Sequence, residues 1–64
     1  MKDIDKLGKL LTEFGVGFAI RKPKDDGQYI RCKEGAEKVD GYGGFIVDFY
    51  FDKEGNFSRI GIWE

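Results

Sequence analysis

The chain has no histidine, and only one cysteine, one serine and one proline. Without an imidazole, neither Cys32 nor Ser58 has the base that would make it a nucleophile, so triad and Cys–His mechanisms are excluded. A Cys/His zinc centre is excluded for the same want of ligands. One cysteine permits no internal disulfide and points to a reducing compartment. No apolar run approaches the roughly 20 residues of a membrane span, and the N-terminus lacks the hydrophobic stretch of a secretion signal. These absences lead to the expectation of a cytoplasmic protein with no membrane partner.

Charge excess is also missing. Eleven basic and twelve acidic side chains leave a net charge of −1, so no overall attraction to nucleic acid follows. The distribution is less even: residues 14–33 carry a local excess of three positive charges and residues 34–64 a local excess of four negative ones. A basic edge and an acidic edge, the latter formed by Glu34, Glu37, Asp40, Asp52 and Glu54, are therefore expected.

What is present is greasy for so short a chain: 41% hydrophobic residues, ten of the 64 aromatic. That composition argues for a folded single domain over residues 1–64 with a small core. Ile4, Leu7, Leu11 and Phe14, with Leu10 beside them, recur at the spacing of one helix face. Asp3 is the expected N-cap and Gly15 the left-handed C-cap. Val16–Lys22 and Gln28–Glu34 alternate as two strands. Pairing Ile20 with Ile30 and Phe18 with Cys32 turns these four inward, and turns Arg21, Tyr29, Arg31 and Lys33 outward. The glycine-rich 35–43 segment is expected as a connector.

The second hairpin, Gly44–Glu64, holds six of the ten aromatics. Phe45, Val47, Phe49 and Phe51 alternate with Ile46, Asp48 and Tyr50, and Asp52-Lys53-Glu54-Gly55 signals a turn. A four-residue loop would pair Phe51 with Asn56, Phe49 with Ser58, Val47 with Ile60 and Phe45 with Ile62, leaving one face almost wholly apolar. The other face would then pair Tyr50 with Phe57 and Asp48 with Arg59. A three-residue loop sorts the residues worse, placing Arg59 opposite Phe49. The expected fold is α+β: one N-terminal amphipathic helix packed on a four-stranded antiparallel sheet of two hairpins, order α-β-β-β-β.

Chemistry-bearing motifs are few. Asp52–Asn56 lacks the ligand series and closing glutamate of a calcium loop. Gly41–Gly44 leads into a strand rather than a helix, unlike a phosphate cradle. No catalytic residue, metal ligand or cofactor is expected, and an enzyme is not. The outer sheet face is the most informative feature. Tyr29, Arg31, Asp48, Tyr50, Phe57, Arg59 and Trp63 form the expected partner-binding set, because aromatics and arginine are enriched at protein interfaces. The same mixture suits single-stranded nucleic acid, with bases stacking on rings and cations meeting phosphates. Cross-strand pairs that merely stabilise a thin sheet are the plain alternative.

Asp40-Gly41-Tyr42-Gly43-Gly44-Phe45, then Phe49–Phe57 (FYFDKEGNF), then Gly61-Ile62-Trp63-Glu64 resembles small proteins encoded by phages and prophages of low-GC Gram-positive bacteria. The likeness covers most of the chain, but its motifs are those of hairpins and carry over no functional residue. It implies a non-enzymatic module that binds a host protein, of the kind represented by anti-CRISPR and other anti-defence inhibitors. Strong DNA mimics among these are heavily acidic. A net charge of −1 departs from that and favours blocking one specific surface. The other expectations are a small single-stranded nucleic-acid binder and a phage structural protein that self-assembles, as a homo-oligomer, through its edge strands.

Overall fold

A computed structural model describes residues 1–23, 27–32, 38–41 and 44–63. The turn at Lys24–Asp26, the expected strand end at Lys33 and Glu34, most of the connector with Tyr42, the acidic residues Glu34 and Glu37, and Glu64 lie outside the described residues.

Helix α1 runs Asp3–Phe14, and four strands follow: β1 (Phe18–Arg21), β2 (Gln28–Cys32), β3 (Ile46–Phe51) and β4 (Phe57–Trp63). They form one antiparallel sheet in the order β1-β2-β3-β4. The α+β arrangement expected from the hydrophobic periods is thus the observed one. The first hairpin keeps the expected register, with Phe18 opposite Cys32 and Ile20 opposite Ile30.

The helix closes at its C-terminus as its sequence dictates. Gly15 is left-handed, its N–H donates to the Thr12 carbonyl (3.1 Å), and Val16 N–H reaches back to the Leu11 carbonyl (2.9 Å). That pair of bonds is a Schellman ending. Lys38 donates to the Phe14 carbonyl (2.6 Å), placing a cation where the helix dipole is negative. The N-terminus differs from expectation. Asp3 is the first helical residue, not the cap, and Lys2 precedes it without any side-chain cap. The reason is tertiary. Asp3 Oδ2 accepts the Phe57 N–H at 2.7 Å, and Ile4 N–H donates to the Gly55 carbonyl at 3.1 Å. The helix start is clamped to the β3–β4 turn.

The turn explains the main departure in register. Asp52 N–H donates to the Asn56 carbonyl (2.8 Å) and Gly55 N–H to the Asp52 carbonyl (2.9 Å), so the loop is three residues, Lys53 to Gly55. Gly55 sits at φ +89°, and a Cβ there would lie 2.8 Å from Lys2 Cδ and 3.3 Å from Ile4 Cγ2. Only glycine meets both demands. Phe51 consequently opposes Phe57, but Tyr50 opposes Arg59 and Phe49 opposes Ile60. Ser58 is the extra residue of a β-bulge, a common companion of a three-residue hairpin. The expected four-residue loop and its pairs (Phe51–Asn56, Phe49–Ser58, Val47–Ile60, Phe45–Ile62) are therefore corrected. The bulge reconciles the short loop with the apolar sorting, because beyond it Val47 meets Ile62 on the same face as Phe49 and Ile60.

Asp52 anchors the turn from its side chain as well. Oδ1 accepts the N–H groups of Glu54 and Asn56, each at 2.9 Å. These bonds to the charged form, Asn56 foremost, hold its carboxyl below the ordinary range. A depressed folded value means the contribution to stability is complete above the unfolded pKa of about 3.9 and is lost as pH falls through the folded value. In acid titrations followed by circular dichroism, Asp52→Asn is expected to narrow its stability gap to the parent as pH drops below about 4. A gap that stays constant down to the end of the titration contradicts this.

The core is small. Ile4, Ile30 and Phe51 are buried, with Leu7, Leu11, Phe18 and Phe49 packed against them. The described molecule is only 17 Å through its thinnest dimension, one helix on one sheet. A helix about 10 Å across cannot cover four strands. Ile20 on one side, and Phe45, Val47, Ile60 and Ile62 on the other, stay exposed although all were expected inward beneath the helix. Grooves run along both flanks of the helix, one of about 480 Å³ beside Phe18 and Ile20, one of about 340 Å³ beside Leu10, Phe57 and Ile60.

Candidate functional site

The sheet face away from the helix carries six of the seven residues singled out from the sequence. Strand alternation puts Tyr29 and Arg31 of β2, Asp48 and Tyr50 of β3, and Arg59 and Trp63 of β4 side by side, with Tyr29 opposite Tyr50, Arg31 opposite Asp48, and Tyr50 opposite Arg59. Phe57 is not among them. The bulge at Ser58 turns Phe57 to the helix side, where its ring meets Phe51 edge-on at 5.9 Å. That correction follows from loop length: a three-residue loop shifts the first position of β4 by one, and the bulge adds a second shift that restores the sidedness of the remainder.

Asp48 is the centre of the arrangement. It lies on the outer face yet its side chain is 1% exposed, because its neighbours close over it. Arg31 binds it bidentately, Nε to Oδ1 at 2.7 Å and Nη2 to Oδ2 at 2.8 Å. Two parallel charge-assisted bonds fix the guanidinium plane as well as its position. The expected partner of Asp48 was Arg59. The register makes Gly61 its neighbour on β4, so the ion pair forms toward β2 instead. Hydrogen bonding to Asp48 raises the Arg31 pKa further, against the opposing effect of burial, so the cation persists at any attainable pH.

The rings are tied to this pair. Tyr50 O–H donates to Asp48 Oδ2 over a long 3.4 Å, and Trp63 Nε1–H donates to the Tyr50 oxygen at 3.2 Å. The Arg59 guanidinium lies 4.1 Å from the centre of the Tyr50 ring, Tyr29 packs tilted against Tyr50 at 5.6 Å, and Arg31 lies 5.2 Å from the Tyr29 ring centre. Cation–π contacts at partly exposed sites contribute about 0.5–1 kcal/mol each. Arg59 and Trp63 remain open to solvent. At the turn end of the face a cleft of about 420 Å³ opens between Gly27, Tyr29, Tyr50, Asp52 and Arg59.

Gly61 is the residue that sequence reasoning passed over. A Cβ on it would lie 2.7 Å from Tyr50 Cε2 and 3.0 Å from Trp63 Nε1, so both rings rest directly on its backbone. A glycine inside a strand pattern is a recognised signal of such an approach. Gly61→Ala is expected to displace one ring and cost about 1–3 kcal/mol, read by urea denaturation and by a change in tryptophan fluorescence. An unchanged spectrum and midpoint contradict the packing described.

Asp48 is sealed from any substrate, and burial pushes the Cys32 thiol up, away from the reactive thiolate. Among the described residues no three potential metal ligands cluster, and no helix is long and apolar enough to cross a membrane. No known protein-family model matches the chain, and neither any curated protein nor any solved structure is significantly similar to it.

Proposed function

We propose that this chain is a non-enzymatic protein-binding module whose docking surface is the Tyr29, Arg31, Asp48, Tyr50, Arg59 and Trp63 face. The observation that carries the reading is the interlocking of these side chains on a sheet face that no described element covers. Tyr, Trp and Arg are the residue types enriched at binding hot spots. Anchors already held by their neighbours lose little freedom on association, which favours affinity. The resemblance of the hairpin motifs to small phage proteins supplies the partner class: a host defence nuclease such as a CRISPR effector, met in the cytoplasm of a bacterial host and blocked at a surface.

The test is capture from host lysate followed by titration of the captured protein. Arg59→Ala and Trp63→Ala, both at exposed positions, are each expected to weaken binding by about 2 kcal/mol or more while the fold persists. Unchanged affinity in both variants overturns the assignment of this face. The runner-up, a single-stranded nucleic-acid binder, draws on the ring-and-guanidinium stack of Tyr50 and Arg59. Against it, Asp48 already takes up the Arg31 charge. An oligonucleotide bound at low salt, and released steeply as salt rises, would select that reading.

A further inference from the structure

The two margins of the sheet are not alike. β1 is four residues long, ends on Arg21 and runs into Lys22 and Pro23, features that discourage further strand pairing. β4 is seven residues long and has one charge, Arg59, and no proline. Its bulge at Ser58 lies at the turn end and leaves Arg59 to Trp63 regular. Ile60 is 53% exposed, Ile62 68% and Trp63 50%. A long, regular, apolar margin is a template for another strand.

The regular segment, Arg59-Ile60-Gly61-Ile62-Trp63, is nearly self-complementary when read from its two ends. We infer that β4 pairs antiparallel with β4 of a second copy of this chain, about a two-fold axis at Gly61. Gly61 then opposes its own counterpart. On the helix side Ile60 of each copy meets Ile62 of the other, so the two exposed isoleucines of β4 become cross-strand pairs. On the outer side Arg59 of each copy stands opposite Trp63 of the other, so no like charges are set against each other. A register one residue away would set Ile60 against Gly61, and the faces would no longer match. The result is an isologous eight-stranded sheet, as two-fold symmetry requires. Both ring-and-guanidinium faces lie on one side of it. This inference stands on the β4 sequence and exposure alone and does not depend on the identity of any host partner.

So narrow a contact belongs to the small, weak class of interfaces, and a concentration-dependent dimer is expected in sedimentation velocity, dissociating on dilution. Ile62→Lys, at a position mostly in water, is expected to keep the parent's circular dichroism and to weaken self-association about tenfold or more. Register is read by crosslinking in a Cys32→Ser background. Directly opposed residues have Cβ atoms about 5 Å apart and diagonal ones about 7–8 Å, and a disulfide needs about 4 Å. A mixture of Ile60→Cys and Ile62→Cys chains is therefore expected to crosslink on oxidation, and neither variant alone. A parent chain that stays monomeric at the highest concentration attained overturns the proposal. So does a mixture that fails to crosslink, or a single variant that crosslinks with itself.

Discussion

Ile30→Ala is expected to lose about 3–4 kcal/mol, within the range for emptying a fully buried aliphatic site. Ile30 is 0% exposed, lies between Ile20 and Phe49 in the sheet, and belongs with Ile4 and Phe51 to the buried cluster. For a 64-residue domain the whole stability is roughly 3–10 kcal/mol, so a large share of the variant should be unfolded at ambient temperature. The control is Ile62→Ala, the same change on the same side of the sheet at a position mostly in water. It is expected to lose under about 1 kcal/mol when measured in dilute solution. Urea denaturation of the pair decides the point. Similar losses at the two sites would mean that the helix covers β4 as well as it covers β2.

The second large effect is an asymmetry within the Arg31–Asp48 pair. Arg31→Ala leaves a carboxylate that is 1% exposed without its bidentate partner, and a loss of about 3 kcal/mol is expected. Asp48→Ala leaves a guanidinium whose side chain is 39% exposed and can turn to water, so about 1–2 kcal/mol is expected. Arg31→Met with Asp48→Leu removes both charges and is expected to come within about 1 kcal/mol of the parent. If Asp48→Ala proves the costlier single change, the carboxylate is not the desolvated member of the pair. The double variant also separates stability from recognition: by the proposed function it should remain folded and bind its partner more weakly.

Much of this was legible in the sequence, and the limits have physical causes. The helix, its Gly15 ending, the first hairpin's register and the division of each strand into two faces all follow from local periods of 3.6 and 2. Phe57 went to the wrong face because loop length and bulge are coupled. The backbone closes a three-residue loop ending at Gly55, apolar sorting demands the opposite parity, and one extra residue at Ser58 satisfies both. Asp3 looked like a cap because its role is set by Phe57, 54 residues away, which no local pattern encodes. Six of the seven site residues nevertheless share one face, since a shift of two positions in register leaves sidedness intact. Their bonding changed instead, with Asp48 serving Arg31 rather than Arg59.

The clamp between the helix start and the β3–β4 turn has a consequence for how the molecule comes into being. Synthesis delivers the helix before the carbonyl and amide that hold its beginning, which belong to Gly55 and to Phe57, the latter 54 residues beyond Asp3. A nascent chain halted after β2 holds Phe18 and Ile30 to pack against the helix but lacks the groups that fix its beginning, and the segment by itself is near the short limit for a helix in water. Fixing of the helix start therefore waits for the β3–β4 turn, its rate governed by closure of the 54-residue separation between Asp3 and Phe57. In pulse-labelled hydrogen exchange, the Ile4 and Phe57 amides should gain protection together and in the final kinetic phase.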